Sequence, residues 1–117
     1  NITSEAARRV LPGAGVYCGS KFAVRALSEG LQLDLSARSK KDGNTIKVST
    51  IAPGFVKTNL ADSVTFEPAK KALELGMQNE DSVLSSEDIA DCVEFILNAK
   101  NHIEVGEVTV RPVQQIL

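Results

Sequence analysis

Tyr17 and Lys21 stand four residues apart, a spacing that puts two helical side chains one turn apart on the same face. A free tyrosine has a pKa near about 10, too high for ready proton exchange at neutral pH. A nearby ammonium favours the phenolate and fits the tyrosine for work as a general acid or base. By itself the spacing also describes an amphipathic tyrosine at a helix start beside a solvated lysine. Ser4 lies thirteen residues before Tyr17, at a predicted strand end, where ligands bind in open parallel sheets. Its hydroxyl can reach across the loop to the tyrosine's site, although a lone serine there is also an ordinary turn residue. Thr3 is a competing hydroxyl, but strand alternation points it the opposite way. Pro53-Gly54-Phe55-Val56-Lys57-Thr58 follows a second predicted strand. Gly54 there permits close backbone approach to a ligand, and the Val56 backbone and Thr58 hydroxyl suit an amide or phosphate. A Pro-Gly pair after a strand is equally a simple turn.

The elements that must position these residues are legible in outline. Asn1 to Ser4 reads as a strand running into a loop punctuated by Pro12, Gly13 and Gly15. A long helix is predicted from about Val16 to Arg38, with Phe22, Leu27, Leu31 and Leu35 as its apolar stripe and Ala23 and Val24 beside it. Gly30 inside that helix suggests close packing against another helix. Lys40 to Asn44 is a turn cluster, and Ile46 to Ala52 a strand stopped by Pro53-Gly54. The segment 55–84 is irregular, with a helical stretch near Ala69 to Leu75. Ser85 with Asp88 three residues on resembles a capping box. It opens a helix whose stripe is Ile89, Val93, Ile96 and Leu97, with Cys92 as a small core residue. Gly106 precedes a last strand, Glu107 to Arg111, halted by Pro112. Alternating strands and helices predict a parallel sheet with crossover helices. Three such strands fit the second half of a doubly wound α/β fold.

Composition narrows the function classes. The chain has 117 residues, 43 % of them hydrophobic, enough for a packed core. Thirteen Lys and Arg against fifteen Asp and Glu give a net charge of −2, without the basic field of a nucleic-acid binder. No apolar run approaches the roughly 20 residues that span a bilayer. Cys18 and Cys92 form no CxxC or Cys/His cluster, which argues against a disulfide scaffold or structural zinc and fits a reducing cytosol. His102, the sole histidine, lies in a predicted loop and is read as non-catalytic. The first residue is Asn1 and the only methionine is Met77, so a piece of a longer protein is expected.

Ser4, the run Tyr17-Cys18-Gly19-Ser20-Lys21, and the strand ending in Pro53-Gly54 with Thr58 together resemble the second half of the short-chain dehydrogenases/reductases. Glu107 to Pro112 is similar to that family's last strand, especially in its NADP-dependent bacterial members. The resemblance covers nearly the whole chain. It implies a Rossmann-like doubly wound parallel sheet with helices on both faces, of which residues 1–117 are the C-terminal half. It implies Tyr17 as catalytic acid/base, and Ser4 as hydrogen-bond partner of the substrate oxygen. Lys21 would favour the phenolate and bind the cofactor ribose. Pro53, Gly54, Val56 and Thr58 would line the nicotinamide and its carboxamide. The cofactor implied is NADP or NAD, with NADP ahead. The reaction implied is oxidation of a secondary alcohol or reduction of a carbonyl in a small molecule, and the protein expected is a cytoplasmic homodimer or homotetramer with no nucleic-acid or membrane partner. Residues 59–84 would be the variable substrate lid, with Leu60 toward the substrate together with Ser4 and Tyr17. Val64, Phe66 and Met77 are further apolar candidates there, while Glu67, Lys70, Lys71 and Glu74 read as a solvated face. The family's glycine-rich phosphate loop, its NAD/NADP-selecting residue, its Asn-Ala-Gly segment and its catalytic asparagine are not in these residues. Gly13 and Gly15 do not replace the phosphate loop, since no strand-to-helix fingerprint surrounds them. The 117 residues alone are therefore expected to lack activity. Two alternatives stand: a cofactor-dependent epimerase or dehydratase of the same superfamily, disfavoured because those relatives carry a larger C-terminal domain, and a non-catalytic binding module.

Overall fold

A computed structural model describes residues 1–115. The central element is strand β1 (Thr50–Pro53), buried at every position. Strand β2 (Glu107–Val110) pairs with it in parallel, in a register running from Thr50 opposite Glu107 to Pro53 opposite Val110. On the other side of β1 the first residues of the chain join through a single parallel bridge, Ile2 to Ile51. The Ile51 amide donates to the Asn1 carbonyl at 2.9 Å, and the Thr3 amide donates to the Ile51 carbonyl at 2.7 Å. The predicted first strand is thus one bridge long. Thr3 is buried and Ser4 only half-buried, which matches their expected alternation.

Between these strands run three helices, α1 (Gly15–Asp42), α2 (Glu67–Gly76) and α3 (Ser86–Leu97), with short 3-10 turns at Glu5–Ala7, Asn59–Ser63 and Glu80–Ser82. Helix α1 and helix α3 cover opposite faces of the sheet. A cleft of about 260 Å³ separates α1 from Val48 and Thr50, and one of about 310 Å³ separates α3 from Ser49 and Ile51. Alternate residues of one strand thus look toward different helices, as the period of two requires. The packed interior is made of small residues: Ala6, Ala7, Cys18 and Ala52, with Ile51. Small side chains let the turn at Glu5–Ala7 lie directly on the start of α1.

The boundaries differ from the predicted ones for local reasons. Helix α1 runs through Lys40 and Lys41, predicted as turn, to Asp42. The Arg38 Nε donates to Asp42 at 3.1 Å, one turn on, and the two lysines complement the helix dipole. Gly43 then closes the helix at φ 75°, its amide donating to the Ser39 carbonyl, a left-handed cap that glycine adopts without a Cβ clash. Residues 46–49, predicted as strand, have no ladder partner. Lys47 donates to the carbonyls of Ala99 and Lys100, and the Val48 amide donates to a Glu104 carboxylate oxygen. Pairing begins only where β2 begins. Helix α2 is longer than predicted, and β2 ends one residue sooner, at Val110. The Ser85–Asp88 capping box is present in full.

The largest departure concerns burial. Leu27, Leu31 and Leu33 on α1 are 74 %, 48 % and 66 % exposed. Among the described residues nothing lies within 4 Å of a Cβ placed on Gly30, so they do not make the close helix contact expected there. A helix of 28 residues is about 42 Å long, far more than two four-residue strands and a bridge can cover.

Candidate active site

The site is assembled at one edge of the sheet by topology. In a parallel sheet every strand ends on the same side, and crossover helices start there. Ser4 follows the first paired segment, Gly54 follows β1, and Tyr17 is the third residue of α1.

Ser4 caps the turn at Glu5–Ala7. Its backbone is extended, and its Oγ accepts from the Ala6 amide at 3.1 Å. That contact uses a lone pair of the hydroxyl and leaves its hydrogen free to be donated. The loop after the turn is tied to α1 by the Leu11 amide, which donates to the Cys18 Sγ at 3.3 Å, while Cys18 itself is fully buried. Cys18 thereby anchors the helix turn that carries Tyr17 on one side and Lys21 on the other.

Tyr17 is 38 % exposed. The Lys21 Nζ stands 5.8 Å from the centroid of the Tyr17 ring, within cation–π range. The predicted one-turn juxtaposition of the two is therefore present. Ser20 turns back locally, its Oγ donating to the Tyr17 carbonyl at 2.7 Å. Tyr17 also sits in the first turn of α1, which has no acidic residue and no side-chain cap. Unpaired amides there favour negative charge nearby.

The loop after β1 is held on two sides. The Gly54 amide donates to the Val110 carbonyl at 2.8 Å, and the Phe55 amide donates to Gln115 Oε1 at 2.9 Å. A Cβ on Gly54 would lie 2.8 Å from the Arg111 Cβ and would overlap Gln115 Oε1. The close approach that Gly54 permits is thus to the chain's own segment beyond β2, where the sequence suggested a ligand. Farther on, Val56 forms an isolated parallel bridge with Leu84. Its hydrogen bonds use the Phe55 carbonyl and the Lys57 amide, both at 2.8 Å. The peptide groups of Val56 itself therefore point away from Leu84. Thr58 caps the next turn, its Oγ1 accepting from the Leu60 amide at 3.3 Å, and it too keeps a hydroxyl hydrogen to donate.

The same bridge closes the base of residues 59–84. Helix α2 inside this excursion ends against the site loop, since a Cβ on Gly76 would fall 2.7 Å from the Phe55 ring. Leu60 and Phe66 are 47 % and 58 % exposed, whereas Val64 and Met77 are half-buried. Just beyond, Asp88 accepts from the Ser85 amide at 2.7 Å and from its hydroxyl at 2.8 Å. The backbone bond first, and the hydroxyl second, hold the Asp88 carboxyl below the ordinary aspartate range.

Glu5 belongs to no motif legible in the sequence. It directly follows Ser4 and is buried, with Arg9 at 3.2 Å and Arg111 at 3.7 Å from its Oε2. The available signal was a carboxylate placed between a strand end and the apolar pair Ala6-Ala7. Among the described residues no cluster of three His, Cys, Asp or Glu could hold a metal ion, and no helix is long and apolar enough to cross a membrane.

Comparisons with known proteins agree with this architecture. The chain is 32 % identical over 117 residues to an uncharacterised oxidoreductase of Staphylococcus saprophyticus, covering 100 % of this chain and 45 % of that protein. It is 33 % identical over 118 residues to human dehydrogenase/reductase SDR family member 11, covering 99 % and 43 %. Among solved structures it resembles the closed form of serine dehydrogenase complexed with NADP+, at a TM-score of 0.80 and 29 % identity, covering 100 % of this chain and 44 % of that one. It also resembles an alcohol dehydrogenase of the archaeon Thermococcus sibiricus complexed with 5-hydroxy-NADP, at 0.73 and 25 %, covering 99 % and 42 %. The chain thus spans less than half the length of the curated relatives it matches. The family model for short chain dehydrogenase matches residues 1–69, the stretch that holds Ser4, Tyr17, Lys21 and the loop after β1. The chain, a Rossmann-like α/β fold with a parallel sheet, belongs to the short-chain dehydrogenase/reductase family of oxidoreductases.

Proposed function

We propose that this chain supplies the acid/base half of an NAD(P)-dependent oxidoreductase that interconverts a secondary alcohol and a carbonyl. The observation that carries the reading is Lys21 lying over the Tyr17 ring at the first turn of α1, on the sheet edge where Ser4 also ends. A nicotinamide held by these residues would supply hydride exchange with the carbonyl or alcohol carbon. Ser4, its acceptor side engaged by the Ala6 amide, donates a hydrogen bond to the substrate oxygen as charge builds there. Tyr17 gives that oxygen its proton, or takes it in the reverse direction. The donor set fits the cofactor. Lys21 offers an ammonium to ribose hydroxyls. Val56 offers an outward amide and carbonyl that match the two sides of a carboxamide, and Thr58 a hydroxyl beside them. Pro53 and Gly54 set the turn that aims both. Leu60 and the rest of residues 59–84 form the substrate lid, hinged at the Val56–Leu84 bridge.

The neighbours complexed with NADP+ and 5-hydroxy-NADP support an NAD(P) cofactor, with NADP ahead. Residues 1–117 act as the C-terminal half, in a longer polypeptide whose other half binds the cofactor phosphates. Alone they are inactive. The exposed apolar face of α1 supports a homodimer or homotetramer, and the two free cysteines fit a cytoplasmic protein. In the full-length enzyme, Tyr17→Phe keeps the ring and removes the proton. Turnover falls by about 10²–10⁴-fold while the circular-dichroism melt is unchanged. Turnover within a few-fold of the parent's refutes the assignment.

A further inference from the structure

Glu5 is a charged residue in an unusual place. It is 6 % exposed in a wall otherwise built of Ala6, Ala7 and Cys18. A carboxylate withdrawn from water costs several kcal/mol unless it is paired, and here two guanidinium groups pair it. Arg9 Nη2 donates to Glu5 Oε2 at 3.2 Å, and Arg111 Nη1 lies 3.7 Å from the same oxygen. The two arginines belong to different parts of the site. Arg9 is in the loop leading to α1 and Tyr17. Arg111 is the residue after β2, and its Cβ abuts Gly54. Glu5 is the first residue of the 3-10 turn that Ser4 caps. One buried carboxylate therefore joins the serine's turn, the tyrosine's approach loop and the cofactor-side loop. A three-residue 3-10 turn has little rigidity of its own, so its placement depends on such outside ties.

The geometry points to Glu5 as a positioning residue, clasped by Arg9 and Arg111, that sets where Ser4 presents its hydroxyl to the carbonyl or alcohol oxygen beside Tyr17. It rests on the function proposed above and adds to it a residue that touches neither substrate nor cofactor. Misplacing a reacting group by about 1 Å can cost about 10²-fold in rate. Arg9 holds the turn from one side when Arg111 is lost, so a smaller loss is expected from a single variant.

In the full-length enzyme, Glu5→Gln keeps the size of the side chain and removes its charge, while Arg111→Gln removes one partner at a half-exposed position. Each lowers kcat by about tenfold, with cofactor Kd within about twofold of the parent, and the double variant falls no further than the worse single. Arg111→Lys restores part of the loss. Kcat within about twofold of the parent in both variants overturns the proposal, as do losses that multiply in the double variant. Loss of cofactor binding in step with turnover overturns it too, and makes the pair a clamp for the fold alone. Tyr17→Phe separates the two readings. If it retains turnover, the function itself fails and this role with it. If it is inactive while both charge variants remain active, only the role of Glu5 fails.

Discussion

Gly54→Ala tests the packing that holds the loop after β1. The added methyl would meet two groups of different character. The Arg111 Cβ, at 2.8 Å, is fixed to the backbone directly after β2 and cannot rotate away. Gln115 Oε1 is the end of a flexible side chain and can move, but moving it breaks the 2.9 Å bond it accepts from the Phe55 amide. Overpacking of this kind costs about 1–3 kcal/mol, and the lost hydrogen bond about 1 kcal/mol more. A loss of about 2–4 kcal/mol by urea denaturation of the full-length enzyme is the expected sum. The strain falls between Gly54 and β2, so it pushes the Val56–Thr58 loop outward and weakens cofactor binding, read by titration. Adding Gln115→Ala removes one of the two clashes and recovers part of the stability. An unchanged denaturation midpoint together with unchanged cofactor affinity would show that the segment after β2 does not pack on Gly54, and the reasoning would fall.

Lys21→Met in the full-length enzyme removes the charge beside the Tyr17 ring and the proposed ribose donor; weaker cofactor binding and slower alcohol oxidation are expected, and no change in either makes Lys21 a surface lysine. Beside the Val56–Leu84 bridge, Ser85→Ala costs about 1 kcal/mol of stability at neutral pH, measured by thermal or urea melting. Asp88 has a lowered folded pKa, so its contribution is intact above the ordinary carboxylate range of about 4 and disappears as pH falls through the folded value. The stability gap between the parent and Asp88→Asn should accordingly narrow in acid, and a gap independent of pH contradicts the capping role.

Local chemistry was readable from the residues because it depends on near neighbours. The four-residue step from Tyr17 to Lys21 puts them together on any helix. The Ser85–Asp88 box, the alternation of Thr3 and Ser4, and the order of strands and helices each follow from a few adjacent positions. The extent of pairing was not readable. Residues 46–49 have strand-forming side chains, yet a ladder needs a partner, and β2 offers one only from Glu107 onward. The same limit applies to Leu27 and Leu31, whose helical period marks a face for burial without saying what buries it. Gly54 shows the point most plainly: its need for space is visible as a glycine, but the atoms that take the space come from Arg111 and Gln115, about sixty residues away. Glu5 is the converse case, an unremarked carboxylate whose meaning depends on two arginines that only the folded chain brings to one oxygen. Contacts within a turn are set by backbone geometry and so are written in the order of residues, whereas contacts between distant segments depend on how the whole sheet and its helices close upon one another.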